Sequence, residues 1–403
     1  MTVLGRDNSC PIPQTFRERF APILFITSLF FLSFMARVTL APLMPTLEGA
    51  VGLSHSQAGS LFLMISIGFF VAQISSGFVS ARLSHKAALN ISALGIGLAL
   101  LCFSFTRSMG GINGVMFFLG LSAGFHVPSA IATITAMVSR KDWGKALGMH
   151  QTAPSLSLVL APLLVQYLLA RLSWWLILVC LGAVSLGTGI VFVLFARSGD
   201  FRGEAPRPEI IKTIAGQASP WIMVLLFALA IGGSIGLYSM LPLYLISERG
   251  FEQGWANAVL GLSRITGLFM AFVAGMLTDR LGEKRALSGV FLSAGIATVL
   301  LGAVPDSWLV WIVFIQAAVV VCFFPPGFSA LSRIVPPNLR SVTTSLVTPS
   351  AFLLGGGIVP VFIGYMGERQ AFGLGIALIG CLMVLSPLMI RFLVLRDEEE
   401  DGC

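Results

Sequence analysis

The sequence predicts an all-α membrane protein, with twelve transmembrane helices in two pseudo-symmetric six-helix bundles. Of its 403 residues, 56% are hydrophobic and only 11% are charged, whereas about a quarter of the residues in a soluble domain are charged. The apolar residues form runs of the ~20 residues that a spanning helix needs. They do not alternate with polar residues, as the strands of a membrane barrel would. The two halves of the chain also resemble each other.

The predicted helices follow one another with short connections. The twelve apolar stretches lie at about residues 22–46, 57–80, 87–106, 111–138, 145–170, 174–196, 220–246, 254–278, 286–304, 308–332, 342–366 and 371–394. Residues 1–21 are polar and lack a signal-peptide pattern, so we expect the first stretch to remain as a spanning helix. The six cysteines are scattered and form no metal-type pair, which indicates small apolar side chains within helices.

Lysine and arginine are distributed unequally between the two ends of the predicted helices. Nineteen of the 25 fall in the segments on the side of the termini, four fall in the opposite loops, and two lie within the membrane. Positive residues favour the cytoplasmic side. We therefore expect a multi-pass protein of the plasma membrane (the inner membrane in a Gram-negative cell) with both termini cytoplasmic. The net charge of +7 reflects this topology and does not indicate nucleic-acid binding.

The chain divides at a charged central loop, residues 197–219. We predict an N-terminal bundle in residues 1–196 and a C-terminal bundle in residues 220–403, which ends in an acidic cytoplasmic tail. The halves match at an offset of 198 residues: Pro128 aligns with Pro326, and Pro162 with Pro360. An offset that holds at several places indicates two repeats related by an axis along the membrane normal.

The strongest match between the halves is also a family motif. "GMLTDRLGEKRAL", from Gly275, resembles the second copy of the signature of the major facilitator superfamily, and "GFVSARLSHKAAL", from Gly77, resembles the first copy. The resemblance covers the whole chain and implies that two bundles rock about a central site. It also implies a conformational latch, which here would use Gly77, Arg82, Gly275, Asp279 and Arg280. Ala81 replaces the family's aspartate in the first copy, so the latch there is incomplete.

Four ionisable residues lie deep in the predicted helices, and none of them is acidic. All 18 Asp and Glu residues fall in loops, at helix ends or in the tail Asp397–Asp401. The deep residues are Arg37, His126, His150 and Arg264. A charge at mid-bilayer costs at least ~2.5–3.5 kcal/mol, so such residues are usually functional. One arginine in each half, without a buried carboxylate, predicts a cavity of positive potential.

The two buried arginines predict that the transported substrate is an anion. Because guanidinium groups bind carboxylates bidentately, we expect Arg37 and Arg264 to bind a small organic anion such as a mono- or dicarboxylate. His126 and His150 would assist, and could carry a proton. Gln151 and Tyr238 are further candidates for substrate binding. The interpretation is a secondary transporter working by proton symport or anion exchange.

Other interpretations stay open at this stage. Each arginine could instead be structural, bonded to carbonyls at a broken helix. Helix five carries Gly148, Ser157, Ala161 and Pro162, which weakly resemble the family's antiporter signature with most of its glycines replaced. Together with the apolar composition, this motif favours efflux of hydrophobic compounds as the alternative. A receptor that kept the fold is a third class.

No nucleotide-binding loop, metal motif or catalytic triad is present, so we expect no enzyme activity and no cofactor. The expected partners are the anion, protons in the case of symport, and membrane lipid, with the chain a monomer.

Overall fold

The computed structural model describes residues 15–196, 198–203 and 208–396. In these residues every regular element is a helix. The spans, numbered along the chain, are α1 Phe20–Val51, α2 His55–Arg82, α3 His85–Phe105, α4 Met109–Met137, α5 Arg140–Leu169, α6 Trp174–Phe195, α7 Ala218–Glu248, α8 Gln253–Leu281, α9 Glu283–Ala303, α10 Asp306–Arg333, α11 Arg340–Glu368 and α12 Phe372–Ile390. Eleven are long and apolar enough to cross a membrane, and α8, bent by 43°, makes twelve. The acidic tail lies outside the described residues.

Local sequence explains where the helices begin and end. Ser54, Ser84 and Ser108 precede α2, α3 and α4, and each hydroxyl accepts a hydrogen bond from a backbone N–H of the first turn. Such caps satisfy donors that a helix end leaves free. The chain leaves α1 at Gly52, whose φ of 75° lies in the left-handed region that favours glycine. The apolar runs thus become discrete rods with polar connections.

Two helices are interrupted at equivalent places. The α-helical pattern of α4 breaks at Phe125, and that of α10 breaks at Cys322–Phe323, 198 residues later. Proline has no N–H, so Pro128 leaves the carbonyl of Gly124 without its i+4 donor. The repeat in sequence is therefore also a repeat in helix geometry.

The halves share one packing scheme. In the first half α1 packs on α5, α2 on α4, and α3 on α6, while in the second α7 packs on α11, α8 on α10, and α9 on α12. Many large apolar side chains of α6 and α12 are exposed, as expected for helices that face lipid. The halves meet through α1 with α7, α2 with α11, and α5 with α8.

The halves are closed against each other at the end opposite the termini. Asn257 of α8 donates to Gln166 of α5 at 3.3 Å, and Glu368 of α11 accepts from the backbone N–H of Ser56 at 3.2 Å and from its hydroxyl. Nearer the termini the same helices separate: a Cβ added at Gly261 would meet the Val159 carbonyl at 2.9 Å, whereas one at Gly275 would meet nothing within 4 Å. The cleft between the halves therefore opens on the side of the termini.

The central connection folds back on the first half. Lys86 N–H donates to the Gly199 carbonyl at 2.8 Å, and His85 N–H donates to the Phe201 carbonyl at 3.1 Å. The imidazole of His85 lies 4.8 Å from the Phe201 ring, centroid to centroid. Residues 198–203 thus lie against the start of α3, beside the first copy of the signature. A short helix, Pro208–Ala215, then leads toward α7.

Candidate functional site

Arg37 lies buried near the middle of α1, with 7% of its surface exposed. The α-helical pattern breaks two residues later, at Thr39, because Pro42 offers no N–H to the Val38 carbonyl. The Arg37 Nε donates to the Ser33 carbonyl at 3.4 Å. Its guanidinium carbon lies 4.8 Å from the ring centroid of Phe34 and 5.0 Å from that of Phe69. No carboxylate of the described residues forms an ion pair with it.

A small cavity between the two halves reaches Arg37. It has about 30 Å³ of space for water-sized molecules, which is room for one or two waters. Its lining comes from α1, α2, α7 and α11: Phe34, Arg37, Val38, Phe62, Ile65, Ser66, Ile235, Ser239, Phe352 and Gly356. The arginine therefore faces a gap to which both halves contribute, in a conformation that encloses little space.

Arg264 lies buried in α8, with 6% of its surface exposed. Its Nη2 donates a hydrogen bond to the Ser234 carbonyl at 3.2 Å, and its guanidinium carbon lies 5.0 Å from the ring centroid of Tyr238. Its Nε and Nη1 are buried without a hydrogen-bond partner among the described residues. Buried donors are normally satisfied by protein, water or a ligand, so this guanidinium has capacity to bind one.

One stretch of α7 lies between the two arginines. Ser234 and Tyr238 contact Arg264, whereas Ile235 and Ser239 line the cavity that reaches Arg37. Each pair is four residues apart, so each marks one face of the helix. Arg264 is not among the lining residues of that cavity. The structure thus brings the two arginines to adjacent faces of one stretch of α7, with Arg264 outside the small cavity that reaches Arg37.

The two histidines meet inside the first half. Nε2 of His126 and Nε2 of His150 are 3.3 Å apart. The ring of Phe30 is stacked on both, at centroid distances of 4.9 Å and 4.5 Å. One ring must carry hydrogen on Nε2 and the other must not, since a neutral imidazole has one donor and one acceptor. The two rings can thus be joined by one hydrogen bond between their Nε2 atoms in a buried site.

The remaining predicted side chains lie in different surroundings. Gln151 is exposed. Tyr238 is buried, and its hydroxyl donates to the Leu158 carbonyl of α5 at 3.3 Å, so it bridges the halves. The residues of the predicted latch lie toward the open end, where Arg82, Asp279 and Arg280 are exposed and Gly77 and Gly275 are partly buried. Their role as a latch stays a prediction.

Sequence reasoning missed the aromatic surroundings of the charges. Phe30, Phe34 and Arg37 are spaced as one face of α1, and this spacing was a usable signal. Ser66, Phe69 and Phe352 offered none, because phenylalanine and serine are common throughout these helices and become neighbours of Arg37 only when α2 and α11 pack together.

Paired six-helix bundles with a charged cavity between them are the architecture of secondary transporters that work by alternating access. The Major Facilitator Superfamily model matches residues 26–360 and 254–402, and the chain belongs to that family. It is a multi-pass membrane protein and a secondary transporter of small molecules, not an enzyme.

The chain is similar in sequence to two curated relatives and in structure to one solved transporter. It is 24% identical to the probable sulfoacetate transporter SauU of Cupriavidus necator, over 93% of this chain and 94% of the relative. It is 20% identical to the D-galactonate transporter of Escherichia coli, over 94% and 96%. A bacterial homologue of the human lysosomal transporter Spinster, in an inward-facing and unoccupied conformation, superposes with a TM-score of 0.76 at 16% identity, covering 93% of this chain and 95% of that one. The structural likeness shows the fold.

Proposed function

We propose that this transporter carries a small organic anion, such as a mono- or dicarboxylate, by proton symport or anion exchange. The observation that carries the proposal is Arg37: a buried guanidinium that faces a cavity between the halves, with no carboxylate partner in the described residues. The anion would supply the missing charge. The two relatives above are described as transporters of sulfoacetate and D-galactonate, which are both organic anions.

The second arginine explains why the anion would couple the halves. Arg264 has two buried donor nitrogens without described partners and contacts the same stretch of α7 that lines the Arg37 cavity. An anion bound to Arg37 would draw α7, and with it Arg264, toward the first half. With the termini in the cytoplasm, the cleft described above is the cytoplasmic entrance, and the opposite end is the closed gate.

The proposal is tested by ligand-dependent thermal stability of the purified full-length protein. We expect carboxylates and sulfonates to raise the melting temperature of the wild type, because a ligand at 100 times its Kd stabilises by about 2.7 kcal/mol. Arg37→Ala should abolish this shift and Arg264→Ala should weaken it. Arg107→Ala, which removes a charge from the α3–α4 connection, should leave the shift unchanged.

The same measurement distinguishes anion transport from efflux of hydrophobic compounds. Stabilisation by lipophilic cations alone, unaffected by Arg37→Ala, would contradict anion transport and favour efflux of hydrophobic compounds.

A further inference from the structure

The polar atoms of the Arg37 cavity are few. Three lining residues carry polar side chains: Arg37, Ser66 and Ser239. The Ser239 hydroxyl donates to the Ile235 carbonyl at 2.8 Å, so its hydrogen is already used. The Ser66 hydroxyl has no hydrogen-bond partner among the described residues, although the residue is only 1% exposed. One donor besides the guanidinium is therefore available at this site.

Ser66 differs from the serines that follow it in the same helix. The hydroxyls of Ser75, Ser76 and Ser80 each donate to a backbone carbonyl three or four residues earlier, which is the usual choice for serine in a helix. Ser66 makes no such bond. Gly357 of α11 packs against it so closely that an added Cβ would lie 2.9 Å from the Ser66 Cβ. Ser66 is thus held where the halves meet and lines the same cavity as Arg37, with its buried hydroxyl lacking a described partner.

The rest of the wall cannot form hydrogen bonds through side chains. Phe34, Phe62, Ile65, Ile235 and Phe352 contribute rings and aliphatic groups. A hydroxyl group of a cargo lying there would lose its water without gaining a partner, which is unfavourable. A methylene group at the same place would gain contact. The cavity as described holds one or two waters, so a cargo enters only when the halves part, and the lining then suits a molecule with one polar end.

We propose that Ser66 donates to the anionic head group held by Arg37, and that the phenyl and aliphatic wall restricts the cargo to a short anion without further hydroxyl groups. The proposal rests on the anion transport proposed above and narrows its substrate class. It favours a short-chain carboxylate or sulfonate over a polyhydroxylated sugar acid. Ser66 is then a specificity-determining residue.

Affinities of two four-carbon acids test the substrate class. Butanoate and 2,3,4-trihydroxybutanoate have the same chain length and the same carboxylate, and differ in three hydroxyl groups. Isothermal titration of the full-length protein should give a Kd at least about tenfold lower for butanoate. Equal or tighter binding of the trihydroxy acid, still lost in Arg37→Ala, would overturn this proposal and leave anion transport standing. Failure of the protein to bind either acid, together with no thermal shift from any carboxylate or sulfonate, would overturn both.

A pair of serine variants tests the role of Ser66. Ser66→Ala should raise the Kd for butanoate about tenfold, since a hydrogen bond to a charged group is lost. Ser92→Ala is the matched control: Ser92 is 0% exposed, its hydroxyl has no described partner, and it lies on α3 away from the cavity. The melting temperature of the unliganded protein reports folding for both. An equal Kd in the two folded variants would overturn the assignment of Ser66.

Discussion

At the scale of single residues, Arg37 shows how a charge is kept inside a membrane helix. The cost of placing it there is at least ~2.5–3.5 kcal/mol. Phenyl faces of Phe34 and Phe69 lie within 5.0 Å of the guanidinium, and each such contact is worth ~0.5–2 kcal/mol. One backbone carbonyl adds a hydrogen bond. The rings offset the cost without neutralising the charge, so the guanidinium can still bind an anion.

The histidine pair yields a prediction about protons. A proton taken up at Nδ1 of the donating ring would leave the hydrogen bond between the two Nε2 atoms in place, whereas one taken up at the accepting Nε2 would give two donors facing each other at 3.3 Å and separate the rings. If the pair is the proton site, either His126→Ala or His150→Ala should abolish substrate-dependent proton uptake in proteoliposomes. The double variant should be no worse, because the two residues act as a unit. A pH-sensitive dye inside the vesicles measures the uptake.

The control for the histidine pair is His85→Ala. His85 lies at the start of α3, where its Nδ1 is 3.4 Å from the Ser129 hydroxyl, and it does not contact the pair. We expect this variant to retain proton uptake. Uptake that persists in the double variant would contradict a histidine-borne proton and favour anion exchange.

At the scale of elements, short segments of unusual geometry surround the cavity. α7 contains a π-helical turn at Gly232–Gly236, and α11 contains one at Leu353–Ile358. The two turns pack together, since a Cβ added at Gly236 would lie 2.4 Å from the Gly355 carbonyl. Such turns often occur at functional sites. Here both contribute to the lining of the cavity, through Ile235 and Gly356.

The central connection yields a prediction at this scale. Gly199 has a φ of +84°, and an added Cβ would lie 2.8 Å from the Thr133 hydroxyl oxygen. Gly199→Ala should therefore cost about 1–3 kcal/mol in the docked form and weaken the bond from Lys86 N–H to the Gly199 carbonyl. Hydrogen exchange at the Lys86 amide should accelerate. Gly216→Ala is the control, because its Cβ would make ordinary contacts at 3.6 Å; equal exchange in both variants would contradict the docking.

At the scale of the whole molecule, the conformation depends on how closely the halves approach at the closed end. Gly59 of α2 lies against α11, where an added Cβ would be 2.5 Å from the Pro360 carbonyl oxygen and 2.8 Å from the Val361 Cα. Both are backbone atoms and cannot move aside as a side chain could. The small residue at position 59 therefore permits closure.

Replacing Gly59 predicts a shift in the conformational equilibrium. Gly59→Leu should force α2 and α11 apart and open the end opposite the termini. Spin labels on Arg171→Cys and Glu252→Cys, exposed positions in the two halves at that end, should report a longer distance, in a background without the native cysteines. Gly148→Leu, where an added Cβ would meet nothing within 4 Å, should leave the distance unchanged. An unchanged distance in a folded Gly59→Leu variant would contradict this role for Gly59.

Much of the architecture could be predicted from the sequence, because the physical signals for it are local. Runs of ~20 apolar residues specify spans, and the serines, glycines and prolines that begin, end and break the helices act within one or two turns. The family signature at Gly275 identified the fold that the comparisons confirm. The deep basic residues, Arg37 and Arg264 among them, were visible for the same reason: a charge in an apolar run stands out.

Only the tertiary structure decided what surrounds those charges. Three features depend on which helices pack and at what rotation: Arg37 lines one cavity with Ser66 and Phe352, Arg264 contacts the same stretch of α7, and His126 meets His150. Packing between membrane helices is governed by close approach of small residues, such as Gly357 against Ser66, and many helix pairs in this chain carry glycines. A sequence therefore shows which charges enter the membrane, whereas their partners are set by contacts between residues far apart in the chain.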